Sequence, residues 1–173
     1  SKELAAKPSE NTWQKICQLV DVDEFCNYMA AECYIGPGDW LTNCNNLKGF
    51  KGRNDGGKFH MVMFDTDSGF GNTNMISSIY GLLSKNDGRY ADNGGKSYLA
   101  DIFFNMLAYE PFKEQFVNAF CIVGGSVMHP ERCKKIIDEM KSYVSAALAI
   151  EGNSPNSTAD GLYNKIASTS ERE

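Results

Sequence analysis

No stretch of this 173-residue chain approaches the roughly 18 apolar residues needed to cross a bilayer, so no transmembrane segment is expected in it. The N-terminus, SKELAAKPSENTW, lacks the apolar core of a signal peptide. Basic residues form no cluster, and with a net charge of -5 and a pI of about 5.1 a nucleic-acid surface is not expected. None of the six cysteines forms a Cys-x-x-Cys pair, and the two histidines, His60 and His129, stand far from them in sequence, so no zinc site is expected. Strands alternating with helices are also missing, which excludes a parallel sheet and the nucleotide folds built on one.

What is present is the composition of one soluble domain, 42% hydrophobic and 23% charged. Most apolar residues recur at three- and four-residue steps. Trp13, Ile16, Cys17 and Val20 predict a short helix, and Asp21 with Glu24 three residues on predicts the capped start of a second. Val22, Phe25, Met29 and Cys33 share a face of that helix, and Cys26 and Cys33 are read as small core residues. Disulfides among the other cysteines stay open.

Gly36-Pro37-Gly38 stops this helix. Beyond a central segment, MISSIYGLL predicts a short helix and SYLADIFFNMLA a strongly apolar one. Pro111 opens the next helix, Gly124-Gly125 should break it, and Pro130 opens the last long one, which ends at Gly152. Residues 152–173 read as a polar tail with Leu162, Tyr163 and Ile166 to bury, and they carry a chance-level glycosylation pattern at Asn156.

The stretch from Gly36 to Gly71 differs in kind. LKGF and KFHMVMF are apolar runs of strand length joined by GRNDGG, a segment rich in residues that accept positive φ, so a β-hairpin is expected at about 47–64. Asp39, Asn43, Asn45 and Asn46 precede it; Asp65 and Asp67 follow it. Antiparallel strands return the chain to its starting end, which would bring both polar clusters together. Their oxygens suit a hard cation.

The order Asp-Trp-x-x-Asn, short hairpin, Phe-Asp-x-Asp and Gly-Phe-Gly resembles the CotH kinase family, the spore coat protein H-like group of secreted, protein-kinase-like proteins. The resemblance extends from DVDEFCNYMAAECYIGPGDW to about Glu151. It implies the helical C-terminal lobe of an atypical kinase-like fold over residues 1–151, with ATP and Mg²⁺ or Mn²⁺ as cofactors. Asp39 would be the catalytic carboxylate, with Asn43, Asp65 and Asp67 holding metal and Asn45 and Trp40 supporting the loop. The implied partners are ATP, a protein or other hydroxyl-bearing acceptor, and an N-terminal lobe missing from this chain. The implied setting is extracellular or on a bacterial cell envelope.

This sequence departs from the family pattern in places. Cys44 stands where a second adjacent Asn is usual, and a thiol is a poor Mg²⁺ ligand. No Gly-rich loop and strand Lys precede the site, and the ~38 residues before Asp39 are too few for a nucleotide-covering lobe. No His-Arg flanks Asp39.

A non-catalytic surface or adhesion module that kept the fold is therefore the alternative. On the residues alone, Asp-x-Asp beside Gly also suits a solvated turn, the amides suit loop capping, Trp40 a core anchor, and His60 a paired or outward strand residue. Met61 and Met63 are read as strand packing. A glycosyltransferase Asp-x-Asp would need a parallel α/β fold, and an EF-hand starting at Asp65 would need Glu where Ile76 stands.

Overall fold

The computed structural model describes residues 1–37, 40, 46–54, 56–67, 69–70 and 98–172. The helix expected over MISSIYGLL lies outside them. Among the described residues the chain is mainly helical, with seven α-helices and one two-stranded sheet. None of those helices is long and apolar enough to cross a membrane.

Helices α1 (Lys2–Ala6) and α2 (Glu10–Cys17) lead into α3 (Val22–Ile35). The Asp21 carboxylate accepts the Glu24 backbone N–H at 3.1 Å, the cap expected from the spacing. Ten of the fourteen α3 residues are buried, so this helix is the axis of the main core rather than an amphipathic surface element. Cys26 and Cys33 are among them, and no disulfide joins the described cysteines to one another. Gly36 ends α3 in the left-handed conformation, φ 64° and ψ 48°, and its N–H closes the last turn on the Glu32 carbonyl.

Strands β1 (Lys48–Lys51) and β2 (Phe59–Val62) form the expected antiparallel hairpin, with Lys48 opposite Val62 and Lys51 opposite Phe59. Positive φ at Gly56 and Gly57 supplies its reversal. The hairpin is stitched to the chain just before α3: Phe59 N–H donates to the Leu19 carbonyl at 2.8 Å, and Asp21 N–H donates to the Phe59 carbonyl at 3.1 Å. Met61 packs on the core, whereas Met63 is exposed, because the strand ends at Val62 and the alternation ends with it.

Helices α4 (Tyr98–Leu107) and α5 (Glu110–Ile122) close the main core. Phe103, Met106, Phe112 and Phe116 meet Phe25 and Met29 there. Pro111 sits in the first turn of α5, where its missing N–H costs nothing. Gly124-Gly125 does not break the chain direction as expected. Val123–Val127 continues α5 as one π-helical turn, which widens the helix instead of ending it. Gly124 is needed for a close approach, since a Cβ there would fall 2.8 Å from the Tyr34 ring.

Helix α6 (Pro130–Ile150) and helix α7 (Pro155–Arg172) form an antiparallel pair joined at Gly152, φ 77°. Residues 155–172, read from sequence as part of a polar tail, are thus helical. Ala159 and Ile166 pack with Cys133 and Ile137 in a second, smaller core. Small residues supply much of that contact, so the apolar count alone understated it.

Candidate functional site

The C-terminal end of α3 is where the two ends of the hairpin meet. Trp40 is buried, and its indole N–H donates to the Tyr28 hydroxyl at 2.6 Å while its ring meets Tyr28 edge-on at 5.9 Å. An N–H donor this deep in an apolar core requires such a partner. Trp40 is therefore the core anchor expected, and it fixes the chain beside the position of Asp39.

Asn46, just before β1, is buried and donates its side-chain amide to the Asp65 carbonyl at 3.3 Å. This bond joins the segment that enters the hairpin to the segment that leaves it. Asp65 itself has φ 55°, a conformation unusual for any residue but glycine and more accessible to Asp and Asn than to most. The chain turns there rather than continuing as a strand. A further bond, from Gly69 N–H to the Thr66 carbonyl at 3.0 Å, tightens the turn, and Phe70 N–H returns to the Ile35 carbonyl at 2.9 Å. Asp65 and Asp67 are both exposed on this turn.

Gly69 seats the turn on α3. A Cβ there would lie 2.2 Å from Ile35 Cγ2, so only a residue without a side chain lets the backbone lie this close. Asp39, Asn43 and Asn45 lie outside the described residues, as does Cys44. Of the expected site residues that the structure describes, Asp65 and Asp67 lie on the turn seated at the α3 C-terminus, and Trp40 lies against Tyr28, about two turns earlier on that helix.

Two acidic features lay outside the sequence reading. Glu32 is 1% exposed, and among the described residues neither of its carboxylate oxygens has a hydrogen-bond partner. Burial pushes its carboxyl up to about 7. Tyr28, the partner of Trp40, lies one turn earlier on the same helix face. The apolar spelling around it, AAECYI, announces the burial.

The second feature is a convergence of Asp21, Glu24 and His60, with one donor atom of each within 4.8 Å of the others. His60 Nδ1 meets Glu24 Oε2, and the imidazole stacks on Phe50 with centroids 4.9 Å apart. His60 is thus the paired strand residue expected. The spacing of Asp21 and Glu24 was visible as a cap, whereas the approach of a histidine 36 residues later depends on how the hairpin docks.

Together these features define a mainly helical protein organised around a hairpin whose exit carries two exposed carboxylates. The CotH kinase protein family matches residues 1–164, and the chain belongs to that family. Membership suggests a kinase-like function. No curated protein and no solved structure matches the chain.

Proposed function

We propose that this chain is the C-terminal lobe of a CotH-like kinase that transfers a phosphoryl group from ATP to a protein or other hydroxyl-bearing acceptor. The observation that carries this reading is the Asn46–Asp65 bond, which ties the hairpin's entry to its acidic exit. Asp39 would orient the acceptor hydroxyl. Asp65, Asp67 and Asn43 would hold Mg²⁺ or Mn²⁺, and Asn45 and Trp40 would keep the loop in place.

The donor chemistry fits a hard cation, because these groups offer carboxylate and amide oxygens and the turn leaves both carboxylates exposed. When bound, the ion would supply charge neutralisation on the nucleotide phosphates. The chain's own contribution is positional. Trp40 fixes one side of the site against Tyr28, and Gly69 lets the other side lie on Ile35. Phosphoryl transfer relies mainly on such positioning and on electrostatics. A nucleotide-covering lobe would come from elsewhere in the same protein, and the setting would be extracellular or on the bacterial cell envelope.

Cys44 favours a second reading, a non-catalytic surface or adhesion module that retains the fold, because it replaces an oxygen donor with a thiol. Thermal melts with and without millimolar Mn²⁺ plus ATP separate the two. A ligand that binds only the folded state raises Tm. The kinase reading predicts a rise that disappears in Asp65→Asn. Absence of a rise, both in this chain and in one extended by its covering lobe, would leave the non-catalytic module.

A further inference from the structure

We propose that Asp21, Glu24 and His60 form a binding site for a zinc-type divalent cation, separate from the acidic turn at Asp65 and independent of the kinase reading. The donor set is two carboxylates and one imidazole, with one atom of each within 4.8 Å of the others. Bonds of about 2 Å place tetrahedral ligands roughly 3.3 Å apart, so modest side-chain rotation about a central ion would complete the site. Mixed nitrogen and oxygen donors suit Zn²⁺ or Co²⁺ better than Mg²⁺, which seeks an octahedral shell of oxygen. Three protein ligands would leave a fourth position for water.

The site is preorganised by contacts that owe nothing to an ion. Asp21 is held through one oxygen by the Glu24 N–H, which leaves the other available. The His60 ring is fixed by its stack on Phe50. Backbone bonds between Leu19, Asp21 and Phe59 lock the strand to the start of α3, so ligands remote in sequence are brought together before any metal arrives. Charge also favours a cation. Two carboxylates converge on one imidazole; the α3 N-terminus offsets only about half a charge, and a protonated imidazole offsets one more. A dication that displaces the His60–Glu24 contact would satisfy both carboxylates while leaving the imidazole neutral.

No zinc site is expected from the sequence, where Cys-x-x-Cys pairs are missing and both histidines stand far from the cysteines; the docking of the hairpin on α3 is what brings His60 to Asp21 and Glu24. The role of the ion would be a clip that fastens the hairpin to α3, adding to the parallel bridge between Val20 and Phe59.

The test is a Zn²⁺ titration of chelator-stripped protein, without nucleotide, in a Cys44→Ser, Cys121→Ser background; Cys121 is the exposed cysteine among the described residues. Saturable binding of one equivalent is expected, with a rise in Tm of about 5 °C at a hundredfold excess over Kd. Both effects should vanish in His60→Ala and in Glu24→Gln, and both should survive in Asp65→Asn. Co²⁺ should give a visible d–d spectrum without a thiolate charge-transfer band. Absence of saturable binding overturns the proposal, as does binding that persists in His60→Ala and Glu24→Gln. Neither result bears on Mn²⁺–ATP binding, whose loss in Asp65→Asn is scored separately.

Discussion

Glu32 shows how much a single side chain can contribute against stability. Its carboxyl is buried without a partner among the described residues, and burial disfavours the charged form and pushes it up to about 7, against an ordinary value of 4.5. A carboxyl whose folded value is raised costs nothing below the unfolded value. The cost grows as pH rises from 4.5 toward 7 and is then constant. Glu32→Gln, which cannot ionise, should therefore gain relative to the native chain between pH 5 and pH 8 by about 2–3 kcal/mol. Denaturant unfolding at the two pH values measures this, and the difference cancels any fixed cost of the amide. An equal effect of Glu32→Gln at both would mean that Glu32 is not the titrating group.

Glycine gives a second residue-scale contrast, in which adjacent positions should respond with opposite signs. A Cβ at Gly124 would meet the Tyr34 ring at 2.8 Å, and Tyr34 is itself buried, so Gly124→Ala should cost about 1–3 kcal/mol. A Cβ at Gly125 meets nothing within 4 Å, and Gly125→Ala should be neutral or stabilising by about 0.5 kcal/mol through the helical propensity of alanine. Paired urea melts decide it, and similar costs at both positions would refute the packing argument. Both glycines read alike in the sequence, as a helix breaker. Only the neighbour across the π turn tells them apart.

Among the elements, the hairpin was the most legible and the segment after it the least. Strand-length apolar runs around GRNDGG announced the reversal and placed β1 and β2 within a residue or two of where they lie. The turn at Asp65 was less visible. It depends on a positive φ at an aspartate and on a glycine, Gly69, that seats the backbone against Ile35. Gly69→Ala should lift this turn from the end of α3, with a cost of about 1–3 kcal/mol. If the site works as proposed, the same substitution should weaken Mn²⁺–ATP binding more than Gly125→Ala does. Titration by thermal shift compares them, and equal affinities would separate the turn's seating from the site. The part of the site that could be read was donor chemistry and order along the chain. The part that could not was the set of contacts made across elements, such as the Asn46 amide on the Asp65 carbonyl or Trp40 on Tyr28.

At the scale of the molecule, burial among the described residues is divided between a large core around α3, α4 and α5 and a small one between α6 and α7. Phe70 and Met128 pack against both and so connect them. Among the described residues the buried apolar side chains of the small core are Cys133, Ile137, Ala159 and Ile166, and beside it α6 leaves Met140, Tyr143 and Ile150 exposed. So little buried apolar surface predicts that α6 and α7 open at lower free energy than the α3 core. Ile166→Ala, at a position 4% exposed, should cost about 2–4 kcal/mol. That loss should fall first on the α6–α7 pair. Native-state hydrogen exchange read by residue would show amides of Pro130–Ile150 and Pro155–Arg172 losing protection while those of Val22–Ile35 keep theirs. Equal loss in all three helices would mean instead that Phe70 and Met128 couple the two cores into one cooperative unit. The acidic turn at Asp65 would then share the stability of the C-terminal helices, because Phe70 follows it directly in the chain.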